Sequence, residues 1–150
     1  MEQRPQPAET AREEVVHEIV ARFNRRDLEG LLERYADDAA LHEPYVEEPI
    51  AGKKALRRFH EELFRAFPDE TLEIRQLISS GDWVVARIVA SATHSGEFLG
   101  MAPTGRRFTV PECTVFEFRG DLVENVWVYV DSGSIARQLG YTFAPAGDAS

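Results

Sequence analysis

Two periodicities divide the chain. Up to residue 67 the apolar residues recur every three or four positions; after Pro68 they recur every second one. Thr10 followed by Glu13 forms a capping-box pattern, and Val16, Ile19, Val20 and Phe23 then make a stripe that predicts a helix to about Arg26. Asp27 can cap a second helix carrying Leu28, Leu31, Leu32 and Tyr35 on one face. Residues 39–49 are mixed and flanked by proline, with room for a brief strand at Ala40–Glu43. Gly52 opens a third helix whose inner face is Leu56, Phe59, His60, Leu63, Phe64 and Phe67. Pro68 stops it, because proline drives the preceding residue out of the helical region.

The second half predicts strands over Thr71–Ser80, Trp83–His94, Arg107–Phe118 and Val123–Asp131. Turns at Ser80-Gly81-Asp82 and Arg119-Gly120-Asp121 separate them, with a glycine-rich loop over 95–105. Asp131 or Ser132 caps a short last helix ending near Gly140. Helices first and an antiparallel meander second make an α+β fold. The expected shape has N-terminal helices packed over a strongly curved antiparallel sheet, enclosing a pocket. One domain over 10–142 is expected, with a disordered polar lead-in at 1–9 and a frayed tail at 143–150.

The last strand carries two different sides. Val126, Val128 and Val130 point one way; Val123, Asn125, Trp127, Tyr129 and Asp131 point the other. The aromatic side reads as the pocket wall. The valine side then needs another cover, and a second copy of the chain is the simplest, so a homodimer through the sheet is expected. A two-residue loop at Gly120-Asp121 places Glu112, Thr114 and Phe116 opposite Trp127 and Tyr129, although a one-residue change of register flips every assignment.

A net charge of −9 over 150 residues argues against a nucleic-acid partner and against anionic membrane surfaces. Cys113 is the single cysteine, so no intrachain disulfide forms. No stretch approaches the roughly 20 apolar residues of a membrane span, and residues 1–7 have no signal-peptide pattern, so a cytoplasmic protein is expected. Neither a cofactor nor a metal is expected: there is no phosphate-binding glycine loop and no ligand cluster with metal spacing.

Asp131 has two readings, the cap of the last helix or a general acid/base among apolar walls. His94, at the end of the long strand, is a second candidate for chemistry, and His42 and His60 are candidates for the pocket. Ordered motifs add to this. Gly52-Lys53-Lys54-Ala55-Leu56, Ala66-Phe67-Pro68-Asp69, Thr93-His94-Ser95-Gly96-Glu97-Phe98-Leu99-Gly100, Pro103-Thr104-Gly105-Arg106 and Trp127-Val128-Tyr129-Val130-Asp131 with Gln138-Leu139-Gly140 together resemble the SnoaL-like polyketide cyclases. These belong to the NTF2-like superfamily. The resemblance spans roughly residues 12–140 and implies an α+β cone. It also implies cofactor-free intramolecular aldol closure of a polyketide methyl ester, with Asp131 as acid/base. The polar Gln and His that the family places on the preceding strand fall near Val115 and Glu117 here, so that pair is not reproduced.

The expected site is therefore Asp131 and His94 for chemistry, with a pocket of His42, His60, Phe64, Arg87, Glu112, Thr114, Trp127 and Tyr129 for an apolar small molecule. An epoxide hydrolase using Asp131, Asn125 and Arg87 is one alternative, or an isomerase of the same fold. A non-catalytic ligand-binding or interaction module is another.

Overall fold

A computed structural model describes residue 4, residues 6–142 and residues 144–147. Helix α1 (Pro7–Asn24) begins four residues before the sequence pattern places it, with Gln6 and not Thr10 at the cap. Proline is pre-shaped for a first helical turn, and the Gln6 N–H donates to the Glu9 carboxylate at 2.9 Å. Glu13 is used elsewhere, accepting from the Ser79 hydroxyl at 2.6 Å. Residues 7–9 of the expected lead-in are thus helical; Met1, Glu2, Gln3 and Pro5 lie outside the described residues, as do Phe143 and 148–150 of the expected tail.

Helix α2 (Leu28–Glu33) is capped by Asp27, whose carboxylate accepts the Gly30 N–H at 3.0 Å. Strand β1 (Tyr35–His42) follows directly and is longer than the pattern suggested. A two-residue strand β2 (Ile50–Ala51) leads to α3 (Lys53–Ala66), entered through Gly52 at φ 89°. Strands β3 (Thr71–Ser80), β4 (Trp83–Thr93), β5 (Arg107–Arg119) and β6 (Leu122–Val130) form the meander, and α4 (Ser132–Gln138) closes the chain.

The six strands make one sheet in the order β2-β1-β6-β5-β4-β3. It is not wholly antiparallel: β1 runs parallel to β6. The reason is topological, because β6 returns to pair with β1 only after the chain has passed through β2, α3 and the three strands β3, β4 and β5. Bulges in the β3–β4, β5–β6 and β1–β6 pairs raise the local twist. Helices α1 and α3 cover one face. There Val16, Ile19, Phe23, Leu31, Leu56, Val84, Ile88 and Phe116 form the main core.

The β5–β6 hairpin has the expected two-residue loop, with Arg119 paired to Leu122 and Phe118 to Val123. The next pair is Glu117 with Asn125, so Glu124 is the extra residue of a bulge. From there on the register is offset by one. Thr114 faces Val128 rather than Trp127, and Glu112 faces Val130 rather than Tyr129. The expected assignment of β6 is therefore inverted: Val126, Val128 and Val130 point under the helices, and Trp127 and Tyr129 point away.

The loop after β4 is pinned to the end of α3. The N–H groups of Ser95 and Gly96 both donate to the Ala66 carbonyl, at 2.9 and 3.0 Å. A Cβ on Gly96 would lie 2.7 Å from the Arg65 carbonyl oxygen and 3.1 Å from the Ala66 Cα, both backbone atoms that cannot move aside. Gly96→Ala is expected to destabilise the protein by about 1–3 kcal/mol, as overpacking does. Urea denaturation of the variant beside the parent protein checks this.

Candidate active site

Between the sheet and the helices lie two adjoining chambers that share part of their walls. The outer one, about 120 Å³, is walled by Leu63, Phe67, Phe98, Phe108, Val110, Val130, the α4 residues Ile135 and Ala136, and Leu139 just after that helix. The inner one, about 80 Å³, lies against the core and is walled by Ile19, Phe23, Leu31, Leu41, Ile88, Phe116 and Val126. Six residues border both: Phe59, Leu63, Val128 and three glutamates, Glu43, Glu70 and Glu112. The wall that the two chambers share, termed the neck, thus holds all three carboxyls.

Each arrives by strand alternation. Glu43 follows β1 in phase with the buried Leu41; Glu70 precedes β3 in phase with Leu72 and Ile74; Glu112 sits in β5 between Ile88 and Val130. All three residues are half-buried, their remaining surface turned to the cavity. Removal from water raises each pKa from the ordinary 4.5: Glu43 and Glu70 to about 8, Glu112 to about 7. The charges of Glu112 and Glu70 add to the effect at Glu43, and that of Glu112 adds to it at Glu70. The Thr114 hydroxyl donates to Glu112 at 3.2 Å, which opposes the rise there.

Among the described residues no lysine or arginine lines either chamber. The cation nearest in effect is Arg26, which opposes the rise at Glu70. Its guanidinium donates to the carbonyls of Pro68 at 2.7 Å and Phe23 at 3.0 Å and lies over the Phe64 ring. One Glu70 carboxyl oxygen, Oε2, is buried with no hydrogen-bond partner. With pKa values of about 7 to 8, the three carboxyls change charge near neutrality and not near pH 4.5. No group of three His, Cys, Asp or Glu among the described residues is arranged to hold a metal ion.

Of the residues expected at the site, Glu112, Thr114, His60 and His94 border the cavity. His94 is fully buried and stacks on Phe67 at 5.4 Å; its Nδ1 accepts from the Thr104 N–H at 3.4 Å, and its Nε2 has no partner. Phe64 packs on Phe23 and His60 behind the wall. The others lie elsewhere. Asp131 is exposed, outside both chambers, and caps α4 by accepting the Ser134 N–H at 2.9 Å. His42 and Trp127 stack at 4.8 Å on the sheet's outer face, Arg87 donates there to Gln76, and Tyr129 is 58% exposed. The set Asp131, Asn125 and Arg87 is not assembled, since Asn125 binds His42 and Glu117 on that outer face. The Glu124 bulge is the cause: it turns the aromatic side of β6 outward.

Glu43 and Glu70 were missed. The signal was present, because both are polar residues at positions where their strands' alternation demands apolar ones.

A family model for SnoaL-like polyketide cyclases matches residues 13–139. The chain belongs to that family. This SnoaL-like chain is 48% identical over 50 residues to the epoxide hydrolase LasB of Streptomyces lasalocidi, a stretch covering 33% of the chain and 18% of LasB. It is 35% identical over 77 residues to the aklanonic acid methyl ester cyclase AcmA of Streptomyces galilaeus, covering 51% of the chain and 54% of AcmA. The chain thus spans less than two thirds of either relative. A solved SnoaL-like protein of Jannaschia sp. CCS1 superposes with a TM-score of 0.86 over 94% of this chain and 99% of its own, at 21% identity. The α+β cone of the NTF2-like proteins is therefore the fold, with its curved sheet left open. No helix among the described residues is long and apolar enough to cross a membrane.

The raised carboxyl pKa values set a sign for stability. Native Glu43, Glu70 and Glu112 hold protons that the unfolded chain releases above about pH 4.5. Their contribution is full below that pH and is lost as pH rises through 7 to 8. Thermal midpoints are expected to fall from pH 5 to pH 8.5, and Glu70→Gln, which stays neutral, to flatten the decline; a pH series of melting curves decides.

Proposed function

We propose that this SnoaL-like protein is a general acid/base enzyme acting on an apolar small molecule, with the neck glutamates rather than Asp131 moving the protons. The supporting observation is the presence of Glu43, Glu70 and Glu112 together, at raised pKa, in an apolar cavity. A neutral carboxyl is a proton donor and an ionised one a proton acceptor, and a pKa near the working pH suits both roles.

The reaction favoured is epoxide opening. A protonated glutamate gives its proton to the epoxide oxygen as that C–O bond breaks. An ionised glutamate takes the proton from the attacking hydroxyl, whether of water or of the substrate itself, as the new C–O bond forms. One glutamate has gained the proton that another lost, so the reaction is neutral overall. Among the described residues no lysine or arginine lines the cavity, which favours this over routes with a free enolate, whose charge no cation there would offset. LasB, an epoxide hydrolase, supports the same choice. The second reading is aldol ring closure of a polyketide-like ester on the same carboxyls, supported by the likeness to AcmA over half the chain. It needs no cofactor.

An epoxy-alcohol whose hydroxyl can reach the epoxide carbon separates the readings. Ring-ether formation is expected, with Glu43→Gln, Glu70→Gln and Glu112→Gln each lowering the rate by about 10²–10⁴-fold and Asp131→Asn leaving it near that of the parent. Turnover of a β-keto ester but not of the epoxide would instead select the aldol reading. Full activity in all three glutamine variants would remove the glutamates from the mechanism.

We also propose a cytoplasmic homodimer through the outer face of the sheet. Ile78, Val85, Val115, Trp127 and His42 form one cross-sheet row there, with Trp83 stacked on Trp127 at 5.7 Å. Sedimentation is expected to give twice the chain mass, and Val115→Glu a monomer. A monomeric parent protein at micromolar concentration contradicts this.

A further inference from the structure

The inner chamber adjoins the outer one at the carboxyls, and it is not uniformly apolar. His60, on the inner face of α3, borders it and is only 7% exposed. Its Nδ1 lies 2.8 Å from the Leu56 carbonyl oxygen, four residues back on the same helix. A carbonyl only accepts, so Nδ1 carries the hydrogen and Nε2 of the neutral ring is a lone-pair acceptor. Burial among the edges of Phe23, Phe59 and Phe64 lowers the His60 pKa and keeps the ring neutral. Nε2 has no hydrogen-bond partner among the described residues. A nitrogen acceptor at the chamber wall, with its tautomer held and no hydrogen bond to any described residue, is a half-made contact.

We propose that the inner chamber is a binding subsite for an apolar arm of the substrate that bears a hydroxyl, and that His60 Nε2 selects this arm by accepting the hydroxyl hydrogen. This rests on the acid/base reading for the position of the reacting group. That group sits at the neck, so the reacting carbon is internal to the molecule, with one arm in each chamber. His60 is on this account a specificity-determining residue and takes no part in proton transfer. A ketone or an ether of the same shape leaves Nε2 unmatched and binds less well, as sites built around one hydrogen bond discriminate against analogues lacking it.

The probe pair is 2-butanol and 2-butanone, which share a carbon skeleton and differ in the ability to donate. Titration is followed by methyl NMR. The methyls of Ile19, Leu31, Ile88 and Val126 report the inner chamber, and those of Met101, Ile135 and Leu139 the outer one. The alcohol is expected to shift the inner set and to bind roughly three- to tenfold tighter than the ketone, the worth of one neutral hydrogen bond. His60→Phe is expected to bring the two affinities together. Equal affinities in the parent protein, or shifts confined to the outer set, overturn the proposal. Should His60→Phe fail to fold, the His60 ring nitrogens of the parent protein carry the test. The Nε2 resonance must show an unprotonated nitrogen and move when 2-butanol is added; a protonated or unresponsive Nε2 overturns it. Neither readout uses turnover. Loss of the alcohol preference therefore leaves the glutamate chemistry standing, and active glutamine variants leave this subsite standing.

Discussion

One extra residue in β6 decides what the cavity is made of. The bulge at Glu124 displaces the β5–β6 register by one, and a strand's side-chain period of two turns that into a complete exchange of faces. Small valines are put under the helices, where a tryptophan and a tyrosine would have filled the space. The open volume between sheet and helices follows from that substitution of small for large. So does the outer aromatic stack of His42, Trp127 and Trp83. Asp131, at the strand's end, is left to the helix that follows.

The carboxyls in that space are costly to the fold. Among the described residues no lysine or arginine lines the chambers to offset them, and Glu70 Oε2 lacks even a hydrogen bond. Isolated charges in such surroundings are tolerated by staying protonated, which is what the raised pKa values describe. The same desolvation that opposes folding above neutral pH makes the groups useful as acids and bases. Their three supporting segments are tied down independently: β1 through β6, β5 in the middle of the sheet, and the turn before β3 by Arg26, whose guanidinium grips the Pro68 carbonyl. Held positions on rigid elements are a requirement for proton transfer over short distances.

At the N-terminal helix two local capping patterns compete. Thr10 and Glu13 have the spacing of a cap, yet Gln6 and Glu9 form the start and Glu13 reaches across to Ser79. Which of two neighbouring acids bonds backwards along the helix depends on what the sheet presents to the other. By contrast, the Asp27 cap and the stop at Phe67-Pro68 were legible, because their causes lie within four residues. Histidine roles divide the same way. His60 falls on the stripe of α3 and lines the cavity, whereas His42 depends on β1 pairing with a strand some eighty residues later.

The sequence by itself determined the kind of fold: three amphipathic helices, four strands at period two, and motifs that mark the family. It also contained Glu112 and Thr114 on one strand face with Phe116. These are properties of short segments, and periodicity reports them directly. Which faces meet was decided by the tertiary structure alone. Glu43, Glu70 and Glu112 come from three separate segments, and their closeness is a product of strand order. The side of β6 that meets them turns on a single bulge, and no pattern of apolar residues on β6 alone encodes its pairing with β5.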